Sequence, residues 1–479
     1  MRLSVILRYG GFILLINSVF MLLAMIISIC SEGDDAYFAF FLSFFISVMA
    51  GVFPLIFIPH DSYINIREIY GVLIVSWATV CLFGVLPYLM WGGEFSVLNA
   101  WFESVSGYTT TGATILHSPE DLPRSILFFR SCTQWMGGVG VVLFAMLLAP
   151  AMRMNKTRLS QAEISPLAKE NFIYKTQETV TIILSVYLGS TLLCFLMYMI
   201  AGMGWFDSLN HAFSTVATGG FSTRNTSLAA FGNTWIYVIT MIFMLTSSIH
   251  FGLLYSAVSG KPGKLFGSPL IRYFALSVAA GTVAVSANLW LAGRFDTLGE
   301  SLLHGAFQVV SYTTTSGYAS IDSSLLPALS FIVIVFFTLQ SGCAGSTTGG
   351  IKVDRIYVFF RTLKVQIKKQ QHPKAIIPVK VGENTVDEDI INSVLLFILL
   401  FLFILLCATV VLTAMGYDVL TSFSAALASL SNAGAGFGSF SSLENYDSML
   451  PFGKILMTVL MITGRLEIYG LILFFYIRK

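Results

Sequence analysis

Four short polar clusters, each closed by a glycine, recur along this chain of 479 residues. The closing glycines are Gly112, Gly219, Gly317 and Gly434, and the intervals between them are 107, 98 and 117 residues. A dehydrated ion needs a close ring of oxygens, which an extended backbone and Thr hydroxyls can supply. Glycine tolerates the unusual dihedral angles that such a backbone requires. A single Thr-Thr-Gly is typical of a turn, but four at matching places predict one cation filter.

Each cluster is expected to contribute three consecutive residues to this filter. Their backbone carbonyls are the predicted oxygen ligands of a cation in transit, and the Thr hydroxyls either add ligands or fix the loops. The twelve predicted filter residues are Thr110, Thr111, Gly112, Ala217, Thr218, Gly219, Thr315, Ser316, Gly317, Asn432, Ala433 and Gly434.

The composition indicates which elements position these clusters. Hydrophobic residues make up 56% of the chain and charged residues 11%, against about 25% charged in a soluble domain. Long uncharged runs match the thickness of a bilayer, so the chain is predicted to be a multi-pass membrane protein. The first run is too long for a signal peptide and is expected to remain as a span. Ten spans are predicted, near residues 10–30, 37–58, 70–92, 125–151, 178–203, 234–258, 272–293, 328–358, 391–416 and 452–477.

Each polar cluster follows a short amphipathic segment that cannot cross a bilayer on its own. These predicted short helices cover 96–106, Asp207–Val216, Leu298–Val310 and Val419–Leu430. Non-helical backbone at membrane depth is tolerated where it lines a watery path. The C-terminal, partly negative helix ends would then face a central cation, with carboxylates capping the N-termini. The predicted caps are Glu94, Asp207, Asp296 and Asp418.

The predicted fold is therefore an all-α polytopic membrane protein. Four span–pore-helix–span repeats surround one pseudo-fourfold pore, and two extra transmembrane helices precede them. The boundaries are 1–69 for the two N-terminal helices, then 70–177, 178–271, 272–390 and 391–479 for the four repeats. Buried thiols are expected for the six cysteines, which form no CxxC pair.

Charge is distributed unevenly across the predicted membrane. Segments on the side of both termini hold 21 of the 27 Lys and Arg residues, which places that side in the cytoplasm. Most acids lie on the opposite side, where a carboxylate-rich mouth would concentrate cations. An ordinary solvated outer face is the alternative.

Two features predict a gate. The segment Ser341–Gly350 interrupts the eighth span with more glycine than a helix holds, and it is interpreted either as a flexible gating loop or as a kink for close packing. Arg465 lies deep in the last span, where an arginine is costly unless it is functional or paired. It is expected to face the pore, with an anchor to backbone carbonyls as the alternative. The predicted gate residues are Gly342, Gly345, Ser346, Thr347, Thr348, Gly349 and Arg465.

The chain resembles the Trk/Ktr/HKT superfamily of potassium transporters over nearly its whole length, and the two added N-terminal spans are similar to the TrkH-type membrane subunit. The resemblance implies that the four glycines are the filter glycines, 341–350 the intramembrane gating loop and Arg465 the pore arginine. Gly112, in place of a serine found in sodium-transporting plant relatives, favours potassium. The fourth and third loops depart from the family at Ala435 and at 316–318. The motifs that carry the resemblance are the runs 106–114, 130–140, 342–352 and 464–467.

The predicted function is potassium uptake across a bacterial cytoplasmic (inner) membrane through a selective, gated pore. Sodium transport, or potassium transport coupled to sodium or protons, is the alternative. A membrane-embedded enzyme is disfavoured because no nucleophile with a base, paired aspartates or metal cluster stands out. A sensory or scaffold protein would leave four matched polar loops unexplained.

The expected ligands and partners follow from the same interpretation. K+ is the transported ion, no covalently bound cofactor is expected, and no nucleic acid is expected to bind. The basic segment 352–390 is expected to contact lipid headgroups or, by resemblance, a cytosolic TrkA-like ring of nucleotide-binding subunits. The chain lacks a GxGxxG fingerprint, so nucleotide control would come from that partner. The resemblance also implies a homodimer.

Overall fold

A computed structural model of the protein describes residues 2–59, 66–148 and 176–468, and nearly all regular structure in these ranges is helical. The α-helices are α1 Leu3–Cys30, α2 Tyr37–Phe57, α3 Ile66–Trp91, α4 Val97–Tyr108, α5 Arg124–Leu148, α6 Thr176–Ile200, α7 Trp205–Val216, α8 Thr234–Ser247, α9 Phe251–Val258, α10 Pro262–Gly267, α11 Pro269–Leu291, α12 Leu298–Thr313, α13 Ala328–Gln340, α14 Val353–Gln371, α15 Glu388–Ala414, α16 Val419–Leu430 and α17 Pro451–Arg465. An antiparallel hairpin joins β1 Lys380–Val381 to β2 Asn384–Thr385, and 3₁₀ turns lie at Pro119–Asp121, Ser227–Phe231, Ser323–Leu325 and Gly438–Phe440.

Several helices are long and apolar enough to cross a bilayer. In the part of the chain that the structure describes, six pass by length and composition: α1, α2, α3 from Gly71, α6 from Thr181, α11 and α15. Helices α8 and α9 make a seventh if their bent pair is counted as one span. The prediction of a multi-pass membrane protein is confirmed.

The predicted eighth and sixth spans are both interrupted. Helix α13 ends at Gln340 and α14 begins at Val353, so the break predicted in the eighth span is present. The sixth span, predicted to run unbroken over 234–258, is instead bent by 108° between α8 and α9. The ends of the predicted fourth and tenth spans, after 148 and after 468, lie outside the described residues.

All four predicted short helices are present as α4, α7, α12 and α16, but the capping prediction was right at only one of them. Asp418 caps α16 by accepting the Thr421 amide at 3.0 Å. Ser96 and Thr297 cap α4 and α12, and α7 begins after Gly204. A short hydroxyl side chain folds back to the N3 amide more readily than a glutamate does.

Apolar packing divides the described helices into two groups. One buried cluster joins α1, α3, α4 and α5 to α15, α16 and α17, and the other joins residues from α6 through α13. The short helices α4 and α16 contribute buried residues to the first cluster, and α7 and α12 contribute them to the second. The buried residues of the polar clusters follow the C-terminal ends of these four helices. The expectation that all cysteines are buried was wrong for Cys30 and Cys407, which are exposed, Cys30 at the C-terminal end of α1 and Cys407 within α15.

Candidate functional site

The four polar loops meet in a closed ring. At each loop one glycine lies so close to the next loop that an added Cβ would collide with a backbone carbonyl oxygen. All four glycines also have φ values between 69° and 83°, a region that favours glycine. The glycine–carbonyl pairs are Gly112 with Gly219, Gly220 with Ser316, Gly317 with Ala433, and Gly434 with Thr111.

The ring corrects the register predicted for the second loop. Gly220, and not Gly219, has the positive φ and the cross-loop contact found at Gly112, Gly317 and Gly434. Gly219 instead takes the place of Thr111 in the first loop. Ala217, predicted to be a filter residue, is the C-cap of α7 and corresponds to the C-cap Thr109 of α4. The helix end therefore fixes the register.

A strained residue stands two positions before each ring glycine. Thr110, Thr218, Thr315 and Asn432 have φ values of 53° to 55°, the left-handed region that non-glycine residues rarely adopt. Each directly follows the C-cap of its short helix, so the chain turns sharply there and all four helix C-termini lie next to the ring. The negative ends of these helix dipoles favour a cation at the centre.

Hydroxyl and amide groups tie the loops together. The Thr109 and Thr111 hydroxyls are 2.8 Å apart, and the Asn432 amide donates to Thr111 Oγ1 at 3.0 Å and to the Met461 carbonyl at 2.9 Å. Tyr446 donates to the Gly434 carbonyl at 3.1 Å. The bond from Asn432 to Thr111 connects the fourth loop to the first, which closes the ring.

Polar side chains on the short helices anchor the backbone that leaves the ring. Glu103 accepts from the Ile115 amide at 3.1 Å, His211 contacts the Ser222 hydroxyl at 3.0 Å, and Gln308 donates to the Ile321 carbonyl at 3.0 Å. These three anchors stand seven residues before the strained position of their loops. The sequence analysis missed them, although that shared spacing was a visible signal.

A buried ion pair supports the first loop. Arg130 Nε donates to Glu103 Oε1 at 2.7 Å, and their side chains are only 2% and 0% exposed. The guanidinium also stacks over Phe221, 4.1 Å from the ring centroid, and reaches the Ser222 carbonyl at 3.4 Å. Arg130 therefore links the first loop to the second.

A cleft opens on one side of the ring, and all four ring glycines line it. Its charged lining residues are Arg130, Arg224 and Glu444, so this cleft is not rich in carboxylates, and the carboxylate-rich outer mouth stays a prediction. Asp207 pairs with Arg224 at 2.9 Å.

The segment Ser341–Gly350 lies against the other side of the ring. Thr218 Oγ1 donates to Thr347 Oγ1 at 3.1 Å, and the Gly349 amide donates to Thr315 Oγ1 at 3.0 Å. A Cβ on Gly349 would collide with the Ser431 carbonyl. The segment therefore contacts the second, third and fourth loops at or just before their strained residues.

Both ends of this segment are held under backbone strain. Ser341 and Lys352 have φ values of 54° and 80°. Lys352 Nζ bonds back to the Thr348 carbonyl, and the buried Asp354 accepts the Ala344 amide at 2.5 Å. The bend between α8 and α9 receives the segment, since the Cys343 amide donates to the Ser248 carbonyl at 2.8 Å.

Arg465 joins this segment to α5. Its guanidinium donates to the Thr347 carbonyl at 2.7 Å and to the Gly137 and Gly138 carbonyls at 2.5 and 3.2 Å. These bonds match the carbonyl-anchor alternative, and one of them is to the predicted gate itself. Glu467, two residues further along, pairs with Arg355 at 2.5 Å.

A polar cluster at the far end of α17 joins the first and fourth loops. Asp447 binds Lys454 at 3.1 Å, His117 at 3.2 Å and the Asn99 amide at 2.9 Å. Partial burial raises the pKa of Asp447, but the hydrogen bonds from Lys454, His117 and Asn99 outweigh it and hold the pKa below the ordinary value of 3.8.

Comparison with known proteins adds independent findings. A family model described as "TrkH: Cation transport protein" matches residues 36–479. The Trk system potassium uptake protein TrkH of Halomonas elongata is 34% identical over 484 residues, covering 99% of this chain and 98% of that protein. The Trk system potassium uptake protein TrkG of Escherichia coli K12 is 32% identical and covers 97% and 96%. The crystal structure of the potassium transporter TrkH from Vibrio parahaemolyticus superposes with a TM-score of 0.89 at 29% identity, covering 99% and 98%.

Proposed function

The chain belongs to the TrkH family of Trk-system potassium uptake transporters, membrane transport proteins rather than enzymes, and from that premise we propose that it carries K+ through a selective pore at the ring of Gly112, Gly220, Gly317 and Gly434. The observation that carries the proposal is the closure of the ring, in which every loop contacts the next and the last contacts the first. A fourfold set of loops around one axis is what an ion filter requires.

The proposed ligands are backbone carbonyls of the loops. Those that precede the ring glycines belong to Thr111, Gly219, Ser316 and Ala433, and each lies against a neighbouring loop. The adjoining C-termini of α4, α7, α12 and α16 add negative potential that favours a cation. Glycine at all four ring positions supports potassium over sodium. Sodium transport, or sodium- or proton-coupled potassium transport, is the competing proposal.

We propose that the segment Ser341–Gly350 is the gate and that Arg465 holds it closed. Thr347 supports this role, because its side chain contacts Thr218 of the second loop while its carbonyl accepts from Arg465. A guanidinium beside an ion path also repels cations electrostatically. Opening would require the segment to leave the loops and Arg465 to lose a carbonyl partner.

The proposed architecture has ten spans and four repeats in a bacterial inner membrane, with both termini in the cytoplasm. The positive-inside bias supports this orientation. On that side, α14 exposes Arg361, Lys364 and Lys368. We propose that this basic helix contacts anionic lipid or a cytosolic TrkA-like nucleotide-binding ring that regulates the gate, and that the protein works as a homodimer.

The test is uptake of potassium or rubidium into bacterial cells that lack their own potassium uptake systems, with sodium as competitor. Saturable potassium uptake that excess sodium barely inhibits is the expected result. Sodium flux of equal size would support the competing ion. No flux of either ion, even with a co-expressed cytosolic subunit, would contradict the proposed function. Shortening 342–349 should raise the basal flux if this segment is the gate.

A further inference from the structure

We infer that Gln134 supports the second filter loop from outside it, by filling with a polar side chain the space beside Gly219, which has no side chain of its own, and that it is a specificity-determining positioning residue. This role rests on the filter proposed above. Gln134 lies on α5, which packs against α7, the short helix that leads into the second loop. Its side chain is fully buried.

The residue preceding the ring glycine differs in the second loop. The other three loops carry Thr111, Ser316 and Ala433 there, while the second carries Gly219. The backbone of Gly219 does not have a positive φ, so its conformation does not demand glycine. The obstacle is spatial, since the three atoms nearest to a Cβ built on Gly219 all belong to the Gln134 side chain. Gln134 and Gly219 are thus a complementary pair.

The amide of Gln134 holds three parts of the second loop at once. Its Nε2 donates to the Gly219 carbonyl at 2.7 Å, and its Oε1 accepts from the Ser214 hydroxyl at 2.5 Å and from the Phe221 amide at 3.1 Å. One side chain therefore binds the C-terminal turn of α7, the ring and the segment that leaves the ring. The same Gly219 carbonyl is the one that lies against Gly112.

A fixed carbonyl matters for the choice of ion. Oxygens that cannot move inward fit a larger ion better than a smaller one, which is the cavity-size account of selectivity. Removing the Gln134 amide frees the Gly219 carbonyl and leaves the buried groups of Ser214 and Phe221 without their partner. We therefore expect sodium to be admitted more readily when Gln134 is lost.

The experiment is a double-substitution cycle on the full-length protein, read by the ratio of potassium to sodium uptake. Gln134→Ala should lower this ratio about tenfold, the equivalent of one well-formed buried hydrogen bond. Gly219→Ser should impair uptake, because the new side chain meets Gln134. Combining the two should restore most of the ratio, since the introduced hydroxymethyl group then fits the vacated space as the side chain of Ser316 does in the third loop.

Gln308→Ala is the matched control, because Gln308 is also a buried glutamine that binds a loop carbonyl, that of Ile321. Adding Gly219→Ser to Gln308→Ala should not raise the ratio of potassium to sodium uptake. The thermal midpoint of purified protein in K+ against Na+ gives a second readout independent of flux. The inference is overturned if the double variant discriminates between potassium and sodium no better than Gln134→Ala in both readouts. It is also overturned if the double variant does not fold while Gln308→Ala does. Absent potassium uptake by the wild type would instead contradict the proposed function.

Discussion

The guanidinium of Arg465 donates to the carbonyl oxygen of Thr347 at 2.7 Å, across 118 residues of sequence. The hydroxyl of Thr347 meanwhile contacts Thr218 in the second loop at 3.1 Å. One threonine therefore stands between the arginine and the second loop. Arg465 and Thr218 both hold Thr347, so a displacement of Arg465 would remove one of the contacts that fix this residue of the proposed gate.

Arg465→Lys should raise basal potassium flux in the absence of any cytosolic partner. Arginine holds the Thr347 and Gly137 carbonyls together with a planar fork, whereas a lysine ammonium on its flexible stem does not match that geometry. Thr463→Ala is the control on the same helix, because the Thr463 hydroxyl bonds only to Val459 among the described contacts. Flux measured in proteoliposomes should rise several-fold for Arg465→Lys alone, and an unchanged or lower flux would count against the gate.

Gly220→Ala should damage the protein as severely as Gly112→Ala. Both glycines combine a φ of 83° with a collision between an added Cβ and a neighbouring carbonyl. Gly112→Ser adds the same Cβ and meets the same Gly219 carbonyl, so it should also be impaired, and the uptake that remains should discriminate less against sodium. Gly189→Ala is the matched control, since a Cβ there meets nothing within 4 Å. Potassium uptake by Gly220→Ala equal to that of Gly189→Ala would show that the ring register is wrong.

Glu103→Ala should destabilise the purified protein strongly. The change leaves the Arg130 guanidinium buried without its carboxylate, which typically costs about 3–5 kcal/mol. It also removes the acceptor of the Ile115 amide. The melting temperature in detergent should fall by several degrees, while the exposed Glu300→Ala should change little. Similar shifts for the two variants would mean that the buried pair contributes no special stability.

Asp447→Asn should reduce stability slightly at neutral pH, by less than about 1 kcal/mol because the carboxylate is partly exposed. The folded-state pKa of Asp447 is depressed, so the carboxylate makes its full contribution to the free energy of unfolding above the unfolded-state pKa of about 3.9. That contribution is lost as the pH falls through the folded-state pKa. Both proteins should carry His117→Gln, so that the contact between His117 and Asp447 does not contribute to the difference. Their melting temperatures should differ from pH 7 to 5 and converge below pH 4. A gap that persists in acid would contradict the ion pair.

Hydropathy and the recurring polar clusters predicted the class of protein and the four short helices. Both signals can be read from neighbouring residues, because bilayer thickness sets the length of an apolar run and the helix period sets the spacing of apolar residues. The register of the second loop was wrong because Gly219 and Gly220 are adjacent, and composition alone does not decide which one takes the left-handed φ. The helix end decides it. Ala217 caps α7, and the strained residue must follow the cap.

The bend of the sixth span escaped prediction for a different reason. Residues 247–250 read Ser-Ser-Ile-His and contain neither glycine nor proline, the usual signals of a broken helix. The cause is distant in sequence, since the Ser247 and Ser248 carbonyls, freed from the helix, bind Thr347 and Cys343. Only the folded arrangement brings these segments together. Gln134 was overlooked likewise, because its partner Gly219 is 85 residues away.

The contact between Gly434 and Thr111 has a consequence for biosynthesis. The first loop leaves the ribosome 322 residues before Gly434 does (434−112), which corresponds to roughly 20–60 s at ordinary rates of translation. During that interval the ring lacks its fourth side, and the Thr111 hydroxyl has not yet met Asn432. A chain truncated before residue 434 therefore has an open ring, because the contact between Gly434 and Thr111 cannot form. The ring closes only when synthesis reaches its last loop, and the proposed filter would be complete only from that point.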